Sequence, residues 1–153
     1  MATIKSVLGT ERDKLGVNVD IFYCPSIGGT PNMTFFLQNF VKLIERGYAH
    51  PHMAGSNKSK AVYAMIGDKI VGQITFEILE DYSKTTWIVL SAVDEAYRQR
   101  GIYGMMHQYL EGVMLELGSR KIGSHVHVTN KERLSSCTKV GMKPLYYRME
   151  KDI

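Results

Sequence analysis

The chain has little cysteine, no long apolar run and no strong charge of either sign, and each shortage removes a class of protein. Cys24 and Cys137 are the only cysteines among 153 residues. Two thiols so far apart exclude a disulfide-dense scaffold and point to a reducing cytoplasm. No stretch approaches the roughly 20 apolar residues of a membrane span, and Met1 to Gly9 lack the apolar core of a secretion signal. Net charge is only +4, a mild bias toward anionic ligands. A basic stripe interleaved with aromatics, the mark of a nucleic-acid surface, is missing. So are Gly-x-x-x-x-Gly-Lys-Ser/Thr and a strand-linked Gly-x-Gly-x-x-Gly, the common phosphate-binding signatures. We therefore expect no membrane and no nucleic-acid partner.

What is present is ordinary globular material, 44% hydrophobic and 22% charged. There is no repeat, linker or low-complexity tract, and the length suits one domain, residues 1–153, burying roughly 70% of its unfolded surface. Val17 to Tyr23 alternates apolar and polar residues as a strand does. Thr30-Pro31 is an N-cap followed by proline at the first helical position. Met33, Phe36, Leu37, Phe40, Val41 and Ile44 then recur at helical spacing up to Gly47. Residues 48–59 read as a loop or one short irregular helix.

From Ala61 the pattern is of strands. Ala61–Ile66 and Lys69–Leu79 flank Gly67-Asp68, a pair suited to a two-residue hairpin turn. In the second strand Ile74, Phe76 and Ile78 share one face, and Gln73, Thr75 and Glu77 the other. Thr85–Val93 is apolar on both faces, which predicts a strand central to its sheet. A helix follows over Ile102 to Leu117, then a strand over Ile122–Val128, a sequence that makes a right-handed parallel crossover. Asn130 opens a last helix reaching about Val140, and Tyr146–Met149 reads as a final strand. The sum is an α/β domain, a mixed sheet in which an antiparallel meander passes into one parallel βαβ unit.

The densest signal is Leu90 to Met106. An apolar strand enters a short acidic turn, and Arg98-Gln99-Arg100-Gly101 opens a long amphipathic helix. A helix start offers unpaired N–H groups and partial positive charge, a seat for phosphate. Two arginines add full charges, and glycine lets the backbone approach the ligand. The arrangement asks for a pyrophosphate.

That order of elements, with Arg98-Gln99-Arg100-Gly101-Ile102 at the strand-to-helix junction, resembles the GNAT superfamily of acetyl-CoA-dependent N-acetyltransferases. The likeness covers about residues 61 to 149. Tyr103 stands where the family has glycine or alanine, with Gly104 one place later. Downstream, the run from Asn130 through Leu134, Cys137 and Lys139 to Gly141-Met142 is similar to the family's segment ending Tyr-x-Lys-x-Gly-Phe. Cys137 occupies the position of the tyrosine that protonates the departing thiolate in many relatives.

The resemblance implies a GNAT-like fold, acetyl-CoA as co-substrate, no metal, and an amine acceptor that could be a protein lysine or N-terminus or a small amine. It leaves room for a homodimer. It places coenzyme A on Arg98, Gln99, Arg100, Gly101, Ile102, Tyr103, Gly104 and Asn130, and its amide-bearing arm on the backbone of Ala92, Val93 and Asp94.

Acetyl transfer needs a neutral amine, so a carboxylate with a water must accept a proton. Glu77, an acid among apolar strand neighbours, is the candidate base, with Glu80 and Asp94 as fallbacks. For the acid to the thiolate the candidates are Cys137, whose other reading is a packed core thiol, and Tyr146 or Tyr147, which could equally line the acceptor site or the core. Met33 and Met53 are candidates to line an acceptor pocket. The pairs His50/His52 and His125/His127, the latter on one strand face, lack a third metal ligand. A non-catalytic GNAT-like module that binds coenzyme A or a partner protein is the alternative reading.

Overall fold

A computed structural model of the chain describes residues 4–49, 55–80 and 84–153. Six strands form one sheet in sequence order: β1 (Val7–Arg12), β2 (Asn18–Cys24), β3 (Lys60–Ile66), β4 (Lys69–Ile78), β5 (Thr85–Val93) and β6 (Lys121–Ser124). The first five are antiparallel to their neighbours, and β5 and β6 are parallel. Among the described residues three α-helices, α1 (Pro31–Glu45), α2 (Ile102–Glu116) and α3 (Lys131–Lys139), and a short 3-10 turn at Glu95–Tyr97 complete it. The expected mixed sheet, hairpin turn and parallel crossover are all present.

The alternation in β4 decides which helix covers which face. Ile74 and Phe76 join Val19, Ile21, Val62 and Ile88 under α2, which contributes Ile102, Met106, Leu110 and Val113. Phe36 and Phe40 of α1 pack the other face with Cys24, Ile27, Ala61 and Leu90. Each such side chain, fully buried, contributes about 1.5–3 kcal/mol. The polar side of β4 is not turned to water. Gln73 and Thr75 are buried, and Asn32 of α1 donates to Gln73 Oε1 at 2.7 Å while Gln73 Nε2 donates to Asn32 O and Thr75 Oγ1. Satisfied on every side, this network fixes the start of α1 against the sheet.

Three expectations need correction, and one strand is added to them. β1 was not foreseen: it is an edge strand with mostly exposed side chains, so it lacks the apolar alternation that marks a half-buried strand. It lies close under α2, where a side chain at Gly9 would collide with the Tyr109 ring. β5 is fifth of six rather than central. β6 stops at Ser124, so His125 and His127 are off the strand. Tyr146–Met149 forms no strand, with Tyr146 91% and Met149 88% exposed. A strand needs a neighbour's edge, and Leu145, Tyr146 and Tyr147 in a row present no single apolar face to one. Among the described residues no helix is long and apolar enough to cross a membrane.

Candidate functional site

The two edges of β5 are unequal. On one side β4 pairs with it from Thr86 to Val93. On the other, β6 covers only Thr85 to Ile88. Val89 to Val93 therefore present an uncovered edge among the described residues. The β4 register jumps from Phe76↔Ile88 to Thr75↔Leu90, so Val89 is bulged where the cover ends. Bulges re-aim backbone groups and recur beside sites of function. The open stretch of β5 thus begins at an irregular backbone.

Beyond that edge the chain is tightly tied. Asp94 N donates to Val71 O at 2.8 Å, so this amide faces β4 and not the open edge. The Asp94 carboxylate pairs with Lys69 Nζ at 3.0 Å and accepts from Ala96 N. The hydrogen bond from Lys69 is the main reason its pKa lies below the ordinary carboxylate value. Arg98 Nε donates to Val93 O at 3.0 Å, and its Nη1 lies 3.8 Å from the exposed Glu132. Arg100 turns inward. Its Nε and Nη2 both reach Asp13 Oδ2, at 2.8 and 2.7 Å. Burial pushes Asp13 upward, but hydrogen bonds from Val17, Arg100 and Leu15 outweigh it and hold the carboxyl below its ordinary pKa.

Gln99 and Gly101 both have left-handed backbones, φ +61° and +86°. For glutamine this stores roughly 1–3 kcal/mol of strain, the kind that persists where function requires a backbone shape. Gly101 caps α2 without a side chain. The first intrahelical bond of α2 runs from Met105 N to Gly101 O, which leaves the N–H groups of Ile102, Tyr103 and Gly104 without helical acceptors. Lys14, from the β1–β2 turn, donates its N–H to Arg100 O, and its aliphatic stem lies beside Gly101. An exposed lysine thus joins the arginines at the helix start.

Tyr103 points from the first turn of α2 toward α3. Its hydroxyl accepts from Arg133 Nη1 at 2.6 Å. Arg133 Nη2 is buried with no partner. Asn130 caps α3 by accepting from Arg133 N at 3.2 Å. Cys137, one turn beyond Arg133, is buried, and burial raises its thiol pKa.

Glu77 lies on the α1 face of β4, opposite Trp87 and one residue from the bulge register. Its Oε1 accepts from Ser59 Oγ at 2.9 Å and Ser56 Oγ at 3.4 Å. Glu80 is exposed beyond the strand end. Met33 lines an open groove of about 780 Å³ with Thr30, Phe35, Gln38, Lys69 and Ile70. At about 3.4 Å per residue, Glu77 is more than 20 Å along β4 from Ile70, so groove and carboxylate lie at opposite ends. His50, His52 and Met53 lie outside the described residues. His125 packs edge-on against Trp87, ring centroids 4.7 Å apart, and His127 faces Tyr48 and bonds Thr129. Among the described residues no three His, Cys, Asp or Glu side chains gather as a metal site. Tyr146 and Tyr147 are exposed.

Asp13, Lys14, Ser59, the Val89 bulge and Arg133 escaped the sequence reading. Asp13 and Arg100 are 87 residues apart, and no spacing rule connects them. The one available signal was Arg133 three places after the Asn130 cap.

The profile of the "Acetyltransferase (GNAT) family" matches residues 33–142. Three solved structures share the fold at low identity. An acetyl transferase from Pyrococcus furiosus aligns with 88% of this chain and 99% of its own, at 18% identity and TM-score 0.70. The ribosomal-protein-alanine N-acetyltransferase of Brucella melitensis biovar Abortus 2308 gives 88% and 99%, 13% identity and 0.66. The aminoglycoside N-acetyltransferase AAC(6')-Iy, solved with CoA, gives 86% and 100%, 16% identity and 0.60. No curated protein sequence matches the chain significantly.

Proposed function

Because the chain belongs to the GNAT acetyltransferase family, we propose that it moves an acetyl group from acetyl-CoA to a primary amine, with both substrates bound at once. The observation that carries this reading is the bare start of α2 beside the uncovered edge of β5. One offers N–H donors to a pyrophosphate and the other offers a strand edge to an amide-bearing arm. The N–H groups of Ile102, Tyr103 and Gly104 hold the pyrophosphate, Gln99 and Gly101 shape the approach, and Arg98 and Lys14 add charge. Arg100 acts through Asp13 by keeping the loop in place. Asn130 sets the start of α3 as the far wall. Val93, whose backbone faces the open edge, pairs with the arm, while Ala92, like Asp94, turns its backbone to β4 and the Asp94 side chain closes the turn.

Backbone N–H groups at the Val89 bulge polarise the thioester carbonyl and steady its negative charge during attack. Glu77, held by Ser59, accepts the amine's proton through a water. The nitrogen forms the new bond to carbon, the carbon–sulfur bond breaks, and the thiolate leaves toward the α2–α3 side. The neighbours in fold act on amines as different as an aminoglycoside and a protein alanine, so the acceptor is set by loops rather than by the fold. Both cysteines are free and buried, which suits a cytoplasmic enzyme.

The test is calorimetric titration with acetyl-CoA of the wild type and Arg98→Ala, a variant whose salt bridge is exposed and adds little to stability. We expect micromolar binding, weakened roughly tenfold in the variant. Thiol release is then followed with an aminoglycoside, a polyamine, a lysine peptide and a peptide with free N-terminal alanine. Failure of the wild type to bind overturns the reading, and binding with no release for any amine makes the protein a binding module. Glu77→Gln should lose turnover chiefly at low pH, where the amine most needs a base; an unchanged pH profile removes Glu77 from the mechanism.

A further inference from the structure

A departing thiolate must be protonated, and the acid is the part of the reaction that the sequence assigns least well. Two departures from the family pattern face one another in the fold. Tyr103 puts a phenol on α2 where a small residue is usual, and Cys137 puts a small residue on α3 where a phenol is usual. In space the two compensate. Tyr103 reaches from α2 toward the neighbourhood of Ser91 on β5, two residues past the bulge. Arg133 and Cys137, four apart on α3, share the helix face it meets. Arg133 Nη1 donates to the phenol oxygen at 2.6 Å, and its guanidinium carbon is 5.1 Å from the Tyr103 ring centre. The second guanidinium nitrogen, Nη2, is buried without an acceptor. A buried N–H donor left unpaired is costly and calls for an anionic or acceptor atom.

Resting on the acetyltransferase reading, we propose that Tyr103 is the acid that protonates the leaving thiolate, with Arg133 as its positioning residue. The phenol keeps its proton at neutral pH, because burial raises its pKa and outweighs the nearby Arg133 charge. Arg133 occupies a lone pair of the oxygen, so the O–H is free to turn toward sulfur. As the carbon–sulfur bond breaks, sulfur takes the bonding electron pair and then the Tyr103 proton. The phenolate left behind is stabilised by Arg133 and recovers a proton from solvent, matching the one the amine released. The net change is acetyl-CoA plus amine to amide plus free thiol.

The experiment compares wild type, Tyr103→Phe, Arg133→Lys, Arg133→Met and Cys137→Ala with acetyl-CoA and a second acetyl donor whose thiol is far more acidic, an aryl thioester. Tyr103→Phe keeps the ring and the backbone N–H, so acetyl-CoA affinity should hold within about twofold while kcat falls roughly 100-fold. The loss should shrink to a few-fold with the aryl thioester, whose thiolate leaves without a proton. Arg133→Lys, which retains the charge, should recover more turnover than Arg133→Met. A structural defect would not distinguish the two donors. Tyr103→Phe with wild-type kcat, or with equal loss on both donors, overturns the assignment. Donor-dependent loss in Cys137→Ala and not in Tyr103→Phe gives the role to the thiol. A wild type that neither binds nor turns over acetyl-CoA overturns the functional reading itself, and this assignment with it.

Discussion

Helices α1 and α2 are both 15 residues long and each packs one face of the sheet, but they begin in opposite ways. Thr30 caps α1 with its side chain, which accepts from Asn32 N, and Pro31 removes another donor. Gly101 leaves α2 bare. Around α1 the nearby polar groups are satisfied internally, Asn32 by Gln73. Around α2 the charged groups hold the loop while the helical N–H groups are left open. A capped helix end is structure; an uncapped one braced by Arg100–Asp13 is available to a ligand. The difference lies in which groups are spent on the protein itself.

The largest change comes from closing the bare end. Gly101→Val puts a β-branched residue at φ +86°, a strained conformation for any side chain, and should weaken acetyl-CoA binding by at least about tenfold, since left-handed backbone costs roughly 1–2 kcal/mol per residue. Calorimetry reads this directly, and unchanged affinity would mean the helix start holds nothing. Next is the brace. Arg100→Ala leaves the Asp13 carboxylate buried without its cation, so Tm should fall by more than in any surface variant and affinity should drop with it. If binding falls while Tm stays, Arg100 contacts the ligand instead.

A smaller effect is expected at the capped end. Thr30→Ala should cost about 1 kcal/mol in urea unfolding and leave acetyl-CoA affinity unchanged; a change in affinity would erase the distinction between the two helices. The smallest effect is on pH. Burial holds buried His107, beside Glu111 and Arg133, below its ordinary pKa of 6.5. The unfolded chain therefore takes up a proton that the folded chain does not, and stability falls as pH drops below 6.5. His107→Leu should flatten that slope in melts from pH 7 to 5. Asp13 acts in the same direction in a lower window, its contribution being lost only below its ordinary value of 3.8.

Much of this was legible along the chain because it is local. The Thr30-Pro31 cap, the Gly67-Asp68 turn, the helical spacing from Ile102 and the Asn130 cap each depend on neighbours a few residues apart. The alternation in β4 was read correctly, but its polar face was not seen to be buried, since only α1 lying across it makes Gln73 and Thr75 interior. β1 escaped because an exposed edge strand carries no apolar period. Tyr146–Met149 was overread because strand formation depends on a free partner edge as much as on composition. The arginines of residues 98 and 100 looked equivalent in sequence; in the fold one reaches outward and the other is held by a carboxylate 87 residues away.

By itself the sequence determined the three α-helices, strands β2 to β5 and the start of β6, their order, the family and the helix start that lacks a cap. Those follow from spacing, from capping chemistry and from glycine's tolerance of positive φ, which act over a few residues. Tertiary structure alone decided that β6 stops short and leaves half of β5 uncovered, that Asp13 and Lys14 brace the loop before α2, and that Tyr103 meets Arg133 and Cys137. These are encounters between distant segments, settled by which faces must be buried together, and no local pattern records them.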